Sequence, residues 1–418
     1  MSTAFPHPQI MRGLQLKQLG RFADAVTAFK EALAQEPNDA FALHQLAGCQ
    51  WRIAEARREA LQTIDQAIAI EPNGAEHHVL RAFILCALDR PKEALLSTQM
   101  ALSLDPNDSY AHTAEAQAYL QMENWPLAER SAREALALDA DNSGAANQLA
   151  QALRLQNKLA ENAAHLAGML ARDPEDAFTH ANAGWAALQR GEHRAAEVHF
   201  REALRLDPDF DYAREGLLSS FRARSPLYRG YLKYCFAMAR LNRGARWAVI
   251  LGFYFGSRVA HYLPGGYIIV ALYFLFVLWV WVARPVGNAM LLADRFARFA
   301  LRPAEKIEAA AVSSCLAIGI TGFILNLALN WDSAMLAGVG GVAIAFPLSL
   351  VFTNQSVLGR WIFGGISGVT FVATILGVIA DAISLASAPL FVGLSLGACV
   401  ACAACTWLGN IRALYKRG

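Results

Sequence analysis

The sequence predicts an all-helical protein in two parts, a solenoid of about six stacked helix pairs with a capping helix, followed by about six membrane-spanning helices. Three observations support this prediction. A period of 34 residues runs through the first half of the chain. Long apolar segments fill the second half, and the two halves carry net charges of opposite sign.

Regularly spaced prolines and alanines define the period. The repeats close at Pro37, Pro72, Pro106, Ala140, Pro174 and Pro208, which are 35 residues apart once and 34 residues apart thereafter. Two rows of alanines keep the same interval: Ala25, Ala60, Ala94, Ala128 and Ala196, and Ala32, Ala67, Ala101, Ala135 and Ala203. A fixed period of this size indicates stacked supersecondary units. Small side chains let helices approach within about 8–10 Å, and a proline forces the residue before it out of the α region.

This pattern resembles the tetratricopeptide repeat. The family places small, aromatic and proline residues at fixed positions of each unit. The first unit reads Gly13, Gly20, Phe22, Ala25, Phe29, Ala32 and Pro37, and the sixth reads Gly184, Gly191, His193, Ala196, Phe200, Ala203 and Pro208. The fifth unit departs most, since Asn162 and Met169 replace both alanines. The resemblance covers roughly residues 6–210, and residues 211–222 are expected to form a capping helix.

The resemblance implies that the first helix of each unit lines a concave groove for a protein or peptide partner. Carried over to this chain, it places the following residues on the inner surface: Phe41, His44, Trp51, Glu76, Phe83, Tyr110, Gln117, Asn147, Gln151, Arg154, Phe178 and Trp185. Aromatic side chains with a few polar groups suit recognition of a peptide or helix. In the alternative interpretation, several of these aromatics pack between helices. A grip on a terminal carboxylate is not expected, because Ile10 and Leu14 stand at the corresponding places of the first unit.

The charge distribution separates the two halves. Residues 1–210 hold 19 Lys+Arg and 28 Asp+Glu, a balance of −9, whereas residues 211–418 hold 18 and 7, a balance of +11. An acidic solenoid argues against a nucleic-acid partner, which would need a basic face to neutralise phosphates. The basic charge lies beside apolar segments, where anionic lipid headgroups are the expected counter-ions.

Six apolar segments predict the membrane domain. They are residues 247–262, 266–283, 308–329, 335–353, 361–380 and 387–409. Most of them approach the length of about 20 apolar residues that a helix needs to span a membrane. We therefore predict a cytoplasmic solenoid over residues 1–222, a basic amphipathic segment over 223–246 and a membrane domain over 247–418.

The positions of the basic residues predict the orientation. Segments 211–246, 284–307, 354–360 and 410–418 hold 8, 5, 1 and 3 Lys+Arg, which is all but one of those after residue 210. Basic residues favour the cytoplasmic side of a membrane. Both termini are therefore expected in the cytoplasm, with the protein integral to the bacterial inner membrane.

Two stretches, around residues 227–243 and 292–302, read as amphipathic helices lying on the membrane surface. Their basic residues, which we expect to contact anionic headgroups, are Arg229, Lys233, Arg240, Arg243, Arg295, Arg298 and Arg302. In the alternative, either helix packs against the solenoid or the helical bundle.

The sequence predicts no metal, cofactor or catalytic site. His78, His112 and His180 recur at one position of their repeats, but stacked units stand about 10 Å apart, too far for one ion to bind all three. Cys399, Cys402 and Cys405 lie among alanines and read as small residues for helix packing. The glycine pairs Gly364/Gly368 and Gly393/Gly397 suit close helix contact, either within the chain or in a homo-oligomer.

We therefore expect a membrane-anchored scaffold whose groove recruits a cytoplasmic partner. The alternative is a regulatory or structural subunit of a membrane transporter or channel. The apolar segments carry no ionisable residue in their middle regions, which argues against that alternative for charged solutes. A membrane enzyme ranks third, because the sequence offers no pairing of a nucleophile with a base.

Overall fold

The computed structural model describes residues 8–260, 262–295, 297–352, 354–383, 387–408, 411 and 414. These residues form α-helices joined by short turns, so the predicted all-helical fold is confirmed. The chain divides into two compact units. One contains the residues up to Ala186 together with Arg205–Asp207 and Ala239–Gly244, and the other contains Ala187–Leu204, Pro208–Met238 and the chain from Ala245 onward.

Helix pairs follow the predicted period. The helices are α1 Pro8–Gln18, α2 Phe22–Leu33, α3 Ala40–Arg52, α4 Arg57–Ile70, α5 Ala75–Ala87, α6 Pro91–Leu104, α7 Ser109–Gln121, α8 Trp125–Leu138, α9 Ser143–Leu155, α10 Leu159–Arg172, α11 Ala177–Arg190 and α12 His193–Leu206. Short polar side chains begin several first helices. Asp39 accepts a hydrogen bond from the backbone of Ala42, and Asn142 accepts one from Ala145, which satisfies amides that the helix leaves open.

In five of the six repeats, the turn between the two helices uses a residue of left-handed backbone conformation, whereas the second repeat has a short 3-10 turn, Ala54–Ala56. Gly20 and Gly191 provide it with φ values of 72° and 87°, as glycine does without steric cost. Asp89, Glu123 and Asn157 occupy the same place in the third, fourth and fifth repeats with φ values of 61°, 61° and 63°. The same turn conformation therefore forms in repeats that lack glycine at this position.

The two rows of alanines lie in the buried core of the helix pairs. All ten alanines are buried, with exposed fractions between 0% and 3%. Larger apolar residues complete the core, such as Phe29 in the first repeat and Ile64 in the second. In the fifth repeat Asn162 occupies an alanine position at 1% exposure, and neither its amide nitrogen nor its carbonyl oxygen has a hydrogen-bond partner among the described residues.

The second unit contains the expected capping helix, α13 Asp211–Arg222, and then α14 Pro226–Arg240. Gly216 of α13 lies against the ring of Phe200, so close that a Cβ atom there would stand 2.2 Å from it. The cap therefore rests on the second helix of the sixth repeat and covers apolar surface that would otherwise face water.

Six further helices follow. They are α15 Arg243–Ala260, α16 Gly266–Leu292, α17 Pro303–Leu329, α18 Asp332–Leu348, α19 Val357–Ala382 and α20 Ala388–Leu408. Of the described helices, α16, α17, α19 and Ala388–Cys405 of α20 are long and apolar enough to cross a membrane. The apolar α18 is shorter, with 17 residues, and α15 is not among the four.

Glycines bring α17 and α18 together. A Cβ atom on Gly322 would stand 2.6 Å from the backbone nitrogen of Gly338, and one on Gly341 would stand 2.8 Å from that of Gly319. Such an approach is possible only without side chains, as in the small-xxx-small packing of membrane helices. The glycine pairs singled out in the sequence, on α19 and α20, have no described atom within 4 Å of the position that a Cβ would occupy, so they do not make this contact within the described chain.

Candidate partner-binding groove and charge cluster

The first helices of successive repeats form one continuous surface, since α3 contacts α5, α5 contacts α7 and α7 contacts α9. Four predicted groove residues on this surface line a single cavity of about 660 Å³, namely Gln117, Asn147, Gln151 and Phe178. The other lining residues are Leu120, Gln121, Ser143, Gly144, Gln148 and Asp176. The structure therefore gathers a third of the predicted residues at the fourth to sixth repeats.

Hydrogen bonds fix the polar wall of this cavity. Asn147 donates from Nδ2 to Asp176 Oδ2 at 3.2 Å, and its Oδ1 accepts a bond from Asn182 Nδ2 at 2.8 Å. Asp176 in turn accepts the backbone N–H of Phe178 at the start of α11. Gln148 Oε1 is buried and has no hydrogen-bond partner within the described part of the chain. These hydrogen bonds hold the polar wall of the cavity in place.

Aromatic side chains recur at one position of the first helices. Phe41, Tyr110 and Phe178 are exposed to 50%, 58% and 47%, and Glu76 stands exposed at the same position of the third repeat. Large aromatics at fixed intervals on one surface are typical anchor points for a partner. The repeat period places them at equivalent positions of the first helices.

Two other predicted aromatics pack against each other. The rings of Trp51 and Phe83 stack with their centroids 5.6 Å apart, and both side chains are half-buried. Arg52 stands 5.6 Å from the centroid of the Trp51 ring. The residues Arg154 and Trp185, also predicted for the groove, are half-buried on α9 and α11. For these positions a role in partner binding stays a prediction.

His44, another predicted groove residue, forms a close pair that the sequence did not suggest. Its Nδ1 lies 3.0 Å from Nδ1 of His77, which is 2% exposed. Burial, and next the neighbouring His77, lower the pKa of His44 to about 4. His44 is therefore neutral at physiological pH, and one nitrogen of the pair donates to the other.

The predicted membrane-surface arginines and lysine occupy different settings. Arg229, Lys233, Arg295 and Arg298 are exposed, as contact with headgroups would require. The carbonyl of Arg240 accepts a bond from Trp125 Nε1 at 3.2 Å. Arg302 pairs with Asp211, and the side chain of Arg243 lies outside the described residues.

The helix α14, which carries three of these basic residues, is also packed against protein. Tyr228, Leu232 and Phe236 are buried at one-turn intervals, and Tyr234 makes an edge contact with Phe276 of α16 at 5.1 Å between centroids. Leu232 and Phe236 interrupt the amphipathic pattern in the sequence, and their burial accounts for that interruption.

A cluster of charges that sequence reasoning missed joins α13 to the ends of α16 and α17. Arg222, fully buried at its side chain, donates from Nε to Asn288 Oδ1 at 2.9 Å and from Nη1 to Glu215 Oε1 at 3.0 Å. Its Nη1 also donates to the hydroxyl of Tyr228. Removing any partner would leave a buried polar group without its bond, so this arrangement is strongly coupled.

Glu305 is the centre of the second part of the charge cluster. Its carboxylate accepts bonds from Arg214 Nη1 at 3.0 Å and Arg284 Nη2 at 3.2 Å, and from the backbone of Arg302. Arg224 completes the junction by bridging Glu197 and Asp294. In the sequence, this cluster was indicated only by acidic residues that lie within otherwise basic segments.

Comparisons with known proteins identify the repeats. Three sequence models described as tetratricopeptide repeat match residues 6–49, 113–177 and 179–210. Among solved structures, the chain is similar to PilW, a widely conserved type IV pilus biogenesis factor, at 20% identity and a TM-score of 0.43, covering 50% of this chain and 96% of PilW. It is similar to a tetratricopeptide repeat protein from Parabacteroides merdae at 16% identity and a TM-score of 0.43, covering 57% and 95%. It is also similar to pilF of Pseudomonas aeruginosa at 20% identity and a TM-score of 0.40, covering 50% and 94%. No curated protein is similar enough to count as a relative.

Proposed function

Because the N-terminal half consists of tetratricopeptide repeats, which support a protein–protein interaction scaffold, we propose that the chain anchors a partner protein at a membrane. Its groove binds an extended segment of a cytoplasmic protein, and the apolar helices of the C-terminal half hold the groove at the bacterial inner membrane. The role needs no reaction step and no cofactor.

The observation that carries the proposal is the composition of the cavity at the fourth to sixth repeats. Its wall carries the amides of Gln117 and Gln151 beside Gln121 and Asn147, whose amide nitrogens already donate to Cys86 and Asp176. The amides of Gln117 and Gln151 can both donate and accept, as a peptide main chain requires. A polar wall of this kind supports binding of extended backbone, and the exposed aromatics support contacts with alternate side chains.

Charge supports one feature of the partner. The first 210 residues carry a balance of −9. Opposite charges across an interface speed encounter and select the partner. The bound segment is therefore one with Lys or Arg beside its apolar residues.

A photo-reactive amino acid placed in the groove tests the binding surface in living cells. We expect crosslinks to one partner from positions Tyr110 and Phe178, and none from Leu96, which is 65% exposed on the second helix of the third repeat. The double variant Tyr110→Ala, Phe178→Ala is expected to weaken binding of that partner at least tenfold, which is about 1.4 kcal/mol. Crosslinks from Leu96 alone would mean that another face binds the partner.

A second experiment tests membrane anchoring and orientation. Leu19, 72% exposed in the first repeat, and Tyr262, 86% exposed after α15, are each replaced by cysteine. The basic segments favour Leu19 on the cytoplasmic side. A membrane-impermeant maleimide should therefore label only Tyr262→Cys in intact spheroplasts and both variants after lysis. Labelling of Leu19→Cys before lysis would contradict the proposed orientation.

A further inference from the structure

The fourth repeat brings together three side chains of metal-binding chemistry. His112 and Glu115 lie one turn apart on α7, and Glu134 lies on α8. His112 Nδ1 stands 3.5 Å from Glu134 Oε2 and 3.9 Å from Glu115 Oε2, and one ligand atom from each residue lies within 4.8 Å of the others. The side chains of His112 and Glu115 are mostly buried, at 14% and 12% exposure, while that of Glu134 is 45% exposed.

The contacts of the His112 ring leave Nδ1, the nitrogen that faces the two carboxylates, available to bind a metal. Its Nε2 lies 3.4 Å from the carbonyl of Pro106, which can accept only a donated N–H. The tautomer with its proton on Nε2 makes this contact a hydrogen bond and leaves the lone pair of Nδ1 for a metal. Nδ1 is buried and has no hydrogen-bond partner in the described residues. Metal-binding histidines characteristically donate their other nitrogen to a carbonyl or carboxylate in this way.

Both carboxylates are also held by neighbours. Ser131 donates from Oγ to Glu115 Oε2 at 2.7 Å. Arg130 Nε stands 3.5 Å from Glu134 Oε1, which leaves Oε2 of that residue directed at His112. Outer contacts of this kind orient ligands before a metal arrives.

The two separations from His112 Nδ1 are close to those that a small ion requires, and the oxygen atoms of Glu115 and Glu134 lie within 4.8 Å of each other. Zinc bonds of about 2.0–2.2 Å in a tetrahedral site place ligand atoms about 3.3–3.6 Å apart. The observed 3.5 Å already fits, and 3.9 Å needs a shift of a few tenths of an ångström. One imidazole and two carboxylates suit a borderline transition metal.

The other repeats provide an internal comparison. His78 and His180 occupy the position of His112, and each contacts a prolyl carbonyl at 3.0 Å. The third repeat has Arg81 and Met100 where the fourth has its two glutamates, and the sixth has Ala183 in place of Glu115. The histidine is thus shared among repeats, but among these three only the fourth has both carboxylates.

We propose that His112, Glu115 and Glu134 bind one divalent transition-metal ion, represented by Zn²⁺. Three protein ligands leave a fourth position, on the open side near Glu134, for water or a side chain of a partner. The ion joins α7 to α8 within the fourth repeat and so steadies the helix that carries the exposed Tyr110. The sequence predicted no metal because the three histidines belong to different repeats, whereas this set uses only one of them.

Calorimetric titration of the full chain with ZnCl₂ tests the site, in detergent, without an affinity tag and after treatment with a chelator. We expect one ion per chain in the unmodified protein, binding weakened more than tenfold in Glu134→Gln and Glu115→Gln, and unchanged binding in the control His78→Ala. Zn²⁺ should also raise the thermal midpoint of the unmodified chain but not that of Glu134→Gln. Binding equal in all four proteins, or no binding to the unmodified chain, would overturn the proposal and leave a histidine–carboxylate ion pair only.

Discussion

Acidification is expected to weaken the second and third repeats through His44. In the folded chain its pKa is about 4, against an ordinary value of 6.5, chiefly because the ring is buried. Between these values the unfolded chain binds a proton that the folded chain excludes, so the stabilisation present above pH 6.5 is lost as the pH falls toward 4. Lowering the pH from 7.5 to 5.0 should cost about 2 kcal/mol at this one side chain.

Hydrogen exchange measures this loss where it occurs. Opening free energies of the amides of α3 and α5 are compared at pH 7.5 and 5.0 in the full chain, after division by the intrinsic exchange rate at each pH. The variant His44→Gln keeps a polar side chain that can bond His77 but does not titrate. It should therefore lose about 2 kcal/mol less than the unmodified chain.

The amides of α9, in another repeat, provide an internal reference for general effects of acid. If His44→Gln loses as much stability as the unmodified chain, the burial of a neutral His44 beside His77 does not control the acid response.

Three further variants and one control variant, Gly230→Ala, test the packing, each by the thermal midpoint of the full chain in detergent. Gly216→Ala should lower the stability of the chain by about 1–3 kcal/mol, because the added Cβ would meet the buried ring of Phe200. The control Gly230→Ala lies in open space on α14 and should be neutral or stabilising by up to about 1 kcal/mol. Equal effects of the two variants would contradict the packing of the capping helix. Asn162→Ala should stabilise by about 1 kcal/mol, since it removes two buried polar atoms without partners in the described chain, and a lower midpoint would show that the amide is satisfied. Arg222→Ala should destabilise by about 3–5 kcal/mol, because it leaves the partners of a fully buried cation unpaired; a change below about 1 kcal/mol would show that the cluster is not structural.

The period in the sequence was sufficient to predict the solenoid. Each repeat meets only its neighbours, so the positions that pack are repeated along the chain and can be read from it. The alanine rows are buried as a row of small residues between helices should be. The polar wall of the cavity was predicted only in part: Gln117, Asn147 and Gln151 follow from the family pattern, but Gln148 and the Asn182 that bonds Asn147 do not.

The sequence did not predict the contacts that join α13 to α16 and α17. Arg222 and Asn288 are 66 residues apart, and Arg214 and Glu305 are 91 apart. Each of these residues, seen alone, is a charged or polar group at the edge of an apolar segment. Their pairing exists only because helices distant in the sequence bring them together and exclude water from them.

The sequence by itself determined the repeat, the all-helical class and the apolar segments, because these depend on periodicity and composition within short stretches. Tertiary structure alone decided which glycines bring α17 and α18 into contact, that His44 faces His77, and that Glu134 joins His112 and Glu115. These contacts depend on side-chain direction across different helices, and a linear pattern of residues does not specify that direction.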